Sequence, residues 1–440
     1  MKSSVLLFYQ KKIAFIFFLS FISLHEKSYA DKFFDSLLDK VIEGNPSYKQ
    51  AVSNIDAKSK SVDIAIGNLF PQVVYTASNE NTKYVFDNSS SRIKPYGQSL
   101  SVQANILNYS NLSDLNINRI EYDQSKLQAA KTYQSAIYEF ANILVDFHVL
   151  KNEIALREIL NLVDEEIMAA NMNLKNAGKI SDNIFQNKIV EISNDQNSYK
   201  LSIDQMKNIQ SKIDVLIDEE IKIPSWDEST FYAKVSEIEN KPFIDNIDIK
   251  ISKLSTDAAK LQIQKSKALL LPKLEIIYKI SQGNYDYIYG STSNNHNYGK
   301  KNSVTAQITV PLFNGFTDIY EVSKNANEFE SALKAVDANQ RENDFKSRDV
   351  KLDILKIKLR LSNLNNQLKV LEMENGKIEL SQELGRLSKF QTFASQKNII
   401  EKKIEKNQIT GEIYHKYLDL LNINSMLDRD FFSNIFCVRR

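Results

Sequence analysis

The stretches LSVQANILNYSN at 100–111 and VTAQITVPLFNG at 304–315 decide the fold. In the first, Leu100, Val102, Ala104 and Ile106 alternate with Ser101, Gln103 and Asn105. In the second, Val304, Ala306, Ile308, Val310 and Leu312 alternate with Thr305, Gln307 and Thr309. A period of two with one apolar and one small polar face is the pattern of a strand. Each stretch is preceded by another strand, Val73, Tyr75 and Ala77 in the first half and Leu274, Ile276, Tyr278 and Ile280 in the second. Val74 and Ile277 break the alternation. The segments 79–97 and 282–302, rich in Asn, Ser, Tyr and Gly, read as polar loops. Each half then holds one β-hairpin with strands of about ten residues, the length a tilted strand needs to cross a bilayer.

Helices surround the hairpins. Ile137, Phe140, Leu144, Phe147, Leu150 and Ile154 step by three or four, and Ile159, Val163, Ile167, Ala170 and Leu174 continue the stripe. Ile354, Ile357, Leu361, Leu364, Leu368 and Leu371 repeat the pattern in the second half. Proline is absent from 96–223 and from 312–440. One helix over 113–175 would run roughly 95 Å, which demands a rod.

The halves are an internal duplication. Leu69-Phe70-Pro71 corresponds to Leu270-Leu271-Pro272, Gln103 to Gln307, and Gly178-Lys179-Ile180-Ser181 to Gly385-Arg386-Leu387-Ser388. The unit is helix, hairpin, long helix, turn and second long helix. The expected organisation is a first repeat over 31–222, with its hairpin about 70–108 and helical hairpin about 113–222. A linker follows at 223–245. A second repeat covers 246–425, with its hairpin about 273–313 and helical hairpin about 316–425. A tail, 426–440, has no assigned role.

Composition narrows the function classes. The 440 residues carry 56 Lys+Arg against 55 Asp+Glu, without the basic excess of a nucleic-acid binder. The single cysteine, Cys437, excludes a disulfide framework and a cysteine zinc site. Eleven Gly and seven Pro are few where average usage would give about 30 and 22. Residues 1–30 read as a secretory signal. Lys2, Lys11 and Lys12 precede the apolar run Ile13–Leu24, and Ser28-Tyr29-Ala30 resembles a cleavage site. No later stretch is apolar enough for a transmembrane helix.

No catalytic constellation is found. His148, His296 and His415 are isolated, and His148, on an apolar helical stretch, reads as a packed residue. There is no HExxH, no phosphate-binding glycine loop and no nucleophile elbow. The expectation is no enzyme, no cofactor and no metal.

Four strands cannot close on themselves, and open edges are not tolerated in hydrocarbon, so hairpins in a bilayer would have to share a barrel between chains. Their apolar faces would meet lipid and the Ser, Thr, Gln and Asn faces would line a wet lumen. Tyr75, Tyr84, Tyr96, Tyr278, Tyr285, Tyr287, Tyr289 and Tyr298 gather at strand ends and tips. They could be an interface girdle, or simply good strand formers.

The duplicated unit, Pro71 and Pro272, the strand ending QITVPLFNG at 307–315 and the turns at Gly178 and Gly385 carry a family likeness over about 31–425. The sequence resembles the TolC-like outer-membrane efflux proteins. The resemblance implies a mainly α fold with transmembrane β: a long α-helical coiled-coil barrel plus β-hairpins that form a 12-stranded β-barrel as a homotrimer. It implies an outer-membrane channel with a periplasmic extension, in a Gram-negative envelope. Its partners would be outer-membrane lipid, a periplasmic adaptor (membrane fusion protein) and an inner-membrane transporter, and no nucleic acid. It would export small molecules or polypeptides in a tripartite efflux or type I secretion system. Helix–strand junctions would lie at Pro71, Pro272, Pro311 and Gly315. The lumen-facing residues would be Ser101, Gln103, Asn105, Thr305, Gln307 and Thr309. The periplasmic entrance turns would carry Gly178, Lys179, Asp182, Gly385, Arg386 and Gln391. The sequence departs from the pattern at Leu107 and Asn111, opposite Pro311 and Gly315. It departs again at Gln391 and Ala394, where the family's best-known members hold constricting aspartates. The alternative is a soluble periplasmic coiled-coil adaptor or scaffold, and a weaker one a ligand-binding helical protein.

Overall fold

The computed structural model describes residues 31–436 except 80–81, 87–88, 222, 225, 227, 237–245, 290–291 and 386–387. The expected signal at 1–30, Pro242, Arg386 and Cys437 lie outside the described residues. The helices are α1 (Asp31–Gly44), α2 (Pro46–Gly67), α3 (Tyr109–Asn176), α4 (Asp182–Ile217), α5 (Glu228–Ser236), α6 (Ile247–Ala268), α7 (Thr317–Glu383), α8 (Lys389–Ile423) and α9 (Arg429–Ile435). The strands are β1 (Gln72–Asn79), β2 (Thr82–Phe86), β3 (Ser89–Leu107), β4 (Lys273–Tyr289) and β5 (Thr292–Thr309). The order helix, hairpin, long helix, long helix thus occurs twice. Helix α3 has 68 residues and α7 has 67, each about 100 Å along its axis. Among the described residues, no helix is long and apolar enough to cross a membrane.

Residues expected as loops are largely strand. β3 is 19 residues long, β4 17 and β5 18, well beyond the ten or so expected. The alternation test misses these ends because a strand without an apolar face still forms its backbone ladder. β2 continues the register of β1 along β3, so the two occupy one lane of the sheet. The lanes are ordered β1, β3, β4, β5, all antiparallel, and the contact of β3 with β4 joins the two hairpins.

The chain divides into two compact units that cut across the repeats. One consists of the chain through Tyr48, Thr132–Ile244 and the chain from Asp344. It holds an aliphatic and aromatic core. Ile137, Phe140 and Leu144 of α3, Ile354 and Leu364 of α7, and Ile413, Tyr414 and Tyr417 of α8 are buried in it. The stripe read from the sequence is buried through Leu150, but Ile159 is half exposed and Leu160 takes its place inside. The step from Ile154 to Ile159 is five residues, which turns the side chain roughly 140° around a helix of about 3.6 residues per turn, so Ile159 leaves the buried face. At Gly411 a Cβ would lie 2.9 Å from a Val149 methyl, so glycine lets α8 approach α3 here.

Segments without an assigned role complete this core. Trp226 and Phe231 of the expected linker are buried, with ring centroids 5.2 Å apart. Phe432 and Phe436 of the tail are fully buried, Phe436 5.4 Å from Trp226. Asp39 and Asp35 of α1 accept hydrogen bonds from Arg429 (2.6 Å) and Ser433 of α9. His148 packs on Trp226 at 4.5 Å and bonds Glu228 at 2.7 Å, a packed residue as read from the sequence.

The other unit consists of Lys49–Lys131 and Asp245–Asn343, and contains the sheet. Its buried residues are largely small or polar, with Ser110, Ser125, Thr256, Ser266, Asn325 and Asn343 beside Ala65, Ala129 and Ala268, and a few aliphatics, Leu115, Ile247 and Ile249. Polar ties join its helices, among them Lys58–Glu121 (2.6 Å), Lys265–Asp114 (2.6 Å) and Asn246–Asn343 (2.7 Å).

Trp226 is the sole tryptophan of the chain and reports on the aromatic core. Phe432→Ala is expected to cost about 3–5 kcal/mol of stability and to shift Trp226 fluorescence to the red. An unchanged emission spectrum and unfolding midpoint would show that α9 does not seal the core.

Candidate channel elements

The sheet register decides which side chains share a face, because residues directly opposite one another point the same way. Leu100 pairs with Ile280 and Tyr75, Val102 with Tyr278 and Val73, and Ala104 with Ile276. Tyr278, Ile276 and Leu274 pair in turn with Val304, Ala306 and Ile308. One face is therefore apolar across all four lanes. The opposite face carries Ser101, Gln103 and Asn105 with Lys279, Ile277 and Glu275, and beyond them Ser303, Thr305 and Gln307. The six strand residues singled out from the sequence thus lie together on that polar face, with Thr309 opposite Lys273. Gln103 donates a hydrogen bond to Glu275 across the junction of the two hairpins. Val74 and Ile277 are the apolar exceptions.

The apolar face has no cover. Val73 is 65% exposed, Val304 73% and Ile308 68%. Tyr75 and Tyr278 lie on this face, while the side chains of Tyr84, Tyr96, Tyr285, Tyr287, Tyr289 and Tyr298 lie outside the described residues.

The helix-to-strand junctions are built twice alike. After α2, the Leu69 and Phe70 amides bond back three residues, and Pro71 follows. After α6, the Leu269, Leu270 and Leu271 amides do the same, and Pro272 follows. A proline with no N–H to offer marks the point where the chain becomes extended. The strand-to-helix junctions differ. Tyr109 starts α3 at once, the Ser110 amide bonding Asn108 at 3.2 Å. Beyond β5 the chain runs through Pro311, Gly315 (φ +71°) and Phe316 (φ +66°) before α7. The departures at Leu107 and Asn111 reflect this difference. A bulky residue in the left-handed region is unusual, and Phe316 rests edge-on against Phe313 at 5.2 Å.

The turns between long helices explain the repeated glycine and serine. Gly178 (φ +69°) ends α3, with the Lys179 amide bonding the Leu174 carbonyl at 2.8 Å. Ser181 caps α4 by accepting from the Ile184 amide at 3.4 Å. Gly385 (φ +68°) ends α7, and Ser388 caps α8. Glycine meets the left-handed C′ position at no steric cost, and serine satisfies free helix-start amides. Asp182 pairs with Lys175 at 2.7 Å and stays exposed. Gln391 is committed to the cap: its side-chain oxygen accepts from the Ser388 amide at 3.2 Å. Lys179 is exposed.

A cluster that the sequence reading missed lies near these turns in the chain. Lys397 of α8 is buried and contacts Asp164 of α3 (2.8 Å), Asp195 (2.7 Å) and Glu191 (3.1 Å) of α4, and Glu401 (4.0 Å). Asp164 is fully buried and its Oδ2 has no partner among the described residues. Burial pushes the Asp164 and Glu401 carboxyls above the usual range. Lys188 first, and then Lys397, holds Glu191 below it. Burial works against the Lys397 ammonium, but its bonds to Asp164, Asp195 and Glu191 outweigh this and raise its pKa. The signal was a lysine on the inward stripe of α8, legible only with its partners in view. Among the described residues no His, Cys, Asp and Glu group could hold a metal ion.

A model of the family described as "Outer membrane efflux protein" matches residues 37–182. A comparison with curated proteins finds no match. Among solved structures, CusC, studied for transmembrane channel formation, superposes with a TM-score of 0.72 at 10% identity, covering 91% of this chain and 95% of its own. The open-state MtrE outer membrane channel of Neisseria gonorrhoeae gives 0.69 at 14%, covering 90% and 89%. The CmeC outer membrane channel of Campylobacter jejuni gives 0.67 at 12%, covering 96% and 91%. The fold is that of these outer-membrane channels. The likeness read from the strands and turns therefore extends to the backbone of most of the chain.

Lys397→Met would leave Asp164 buried without its counter-charge, a loss of about 3–5 kcal/mol at neutral pH. Adding Asp164→Asn should recover part of it. Lys397 opposes the burial that raises the Asp164 pKa, so without it that pKa rises further, and the single variant recovers more stability than the parent as the pH falls. In the parent chain, the stability from the lowered Glu191 is lost on the same descent. The gap between the two proteins should therefore narrow on acidification in thermal unfolding. A constant gap would rule out this charge account.

Proposed function

We propose that the chain is one third of an outer-membrane efflux channel. Three copies would join edge to edge, β1 of one beside β5 of the next, into a 12-stranded barrel. The apolar face would meet lipid, and Ser101, Gln103, Asn105, Thr305, Gln307 and Thr309 would line the water-filled interior. The α3–α4 and α7–α8 hairpins would extend into the periplasm as a coiled-coil tunnel. Their turns, at Gly178, Lys179 and Asp182 and at Gly385, Arg386 and Gln391, would form its entrance. An adaptor would dock there and connect the tunnel to an inner-membrane transporter. The cargo would be small molecules or polypeptides, carried in tripartite efflux or type I secretion.

The observation that carries the proposal is the state of the sheet. Among the described residues, its outer lanes β1 and β5 have no neighbour on one side, and its apolar face exposes Val73, Val304 and Ile308. In hydrocarbon each unpaired backbone group costs several kcal/mol, so a membrane sheet must close. In water, a bare apolar face with free edges invites aggregation. The same observation speaks against the soluble adaptor reading, which needs a sheet covered on its apolar side.

Expressed with its leader, the protein should fractionate with the outer membrane and be extracted by detergent as a trimer. It should open stable conductances in planar bilayers. A non-conducting monomer in the soluble periplasmic fraction would refute the proposal.

A further inference from the structure

The polar face of the sheet carries more charge than an inert pore wall requires. Lys273, Glu275 and Lys279 of β4 and Lys301 of β5 all lie on it, alongside Ser, Thr and Gln. On the apolar face, the same span of β4, 273–281, carries no charge. Glu275 sits two residues from Lys273, is bonded by Gln103, and offsets that lysine. Lys279 and Lys301 are left. Lys279 is opposite Ser303 and Lys301 opposite Ser281, so the two lysines are diagonal neighbours on adjacent strands. Both are exposed, and neither has an ion-pair partner among the described residues. Like charges on neighbouring strands disfavour the sheet, and nothing in its packing calls for them.

We infer that Lys279 and Lys301 form an anion-selective ring inside the pore and that the channel favours anionic solutes. This inference rests on the channel reading and on its assignment of the polar face to the lumen. Every chain of a closed barrel would contribute the same pair at the same level, and rings of Lys or Arg select anions as rings of Asp or Glu select cations. The helix turns supply no opposing negative ring. Asp182 is paired with Lys175, and Gln391 and Ala394 are neutral.

The test is the reversal potential of the trimer in planar bilayers under a tenfold KCl gradient. A chloride-to-potassium permeability ratio above one is expected. It should fall toward one as mean salt rises, because the screening length shrinks from about 10 Å at 0.1 M to about 3 Å at 1 M. Lys279→Gln with Lys301→Gln should reduce the preference, and Lys279→Glu with Lys301→Glu should invert it. Trimer content and conductance in symmetrical KCl verify that each variant is assembled. A conducting parent protein that prefers potassium overturns the inference alone, as does an unchanged ratio in assembled variants. A parent protein that never conducts overturns the channel reading as well.

Discussion

A sheet must satisfy two demands at once: its edge amides and carbonyls need partners, and its apolar face needs a non-aqueous neighbour. This chain meets neither demand alone. Its four lanes end in β1 and β5 with ladders open on the outside. Its apolar face, continuous from Val73 to Ile308 through the register, is uncovered. In the proposed channel, copies of the chain would supply the first need and lipid the second. The elements of the chain's own structure that turn helix into strand, Pro71 and Pro272, serve to deliver these strands as one sheet.

The two compact units solve packing differently. The one with the long-helix turns is built on buried aromatics and aliphatics and on the Lys397 ion cluster. Taking charges out of water costs more than a lone pair returns, so such a cluster is weak evidence for stability. It does specify geometry, because one ammonium must reach carboxylates on α3 and α4 at the same time. The sheet-bearing unit instead uses Ser, Thr, Asn and Ala between helices, with ion pairs such as Lys58–Glu121 across them.

Much of this architecture was legible in the sequence. The alternation at 100–106 and 304–309 gave parts of β3 and β5, though the strand ends at Thr309 and not at Leu312 as the alternation suggested, and the breaker-free stretches gave the long helices. The repeated glycine and serine proved to have separate tasks, as left-handed terminator and helix cap. What escaped was set by partners far along the chain. Polar strand ends have no periodicity to detect and are held by their neighbours' ladders. Ile159 was read inward although the five-residue step from Ile154 carries it off the buried face. Lys397 gave no signal of its own, since a lysine on a helix is usually solvated. The tail resembled an appendage, yet Phe432 and Phe436 fill the core that α1 and α5 leave open.

The clasp between α1 and α9 sets an order of events in biogenesis. Asp39 and Arg429 are 390 residues apart, and Asp35 and Ser433 are 398 apart. A chain made from its N-terminus must therefore be almost complete before α1 can find α9. Until then the aromatic core lacks Phe432 and Phe436, and closures over such sequence separations are slow.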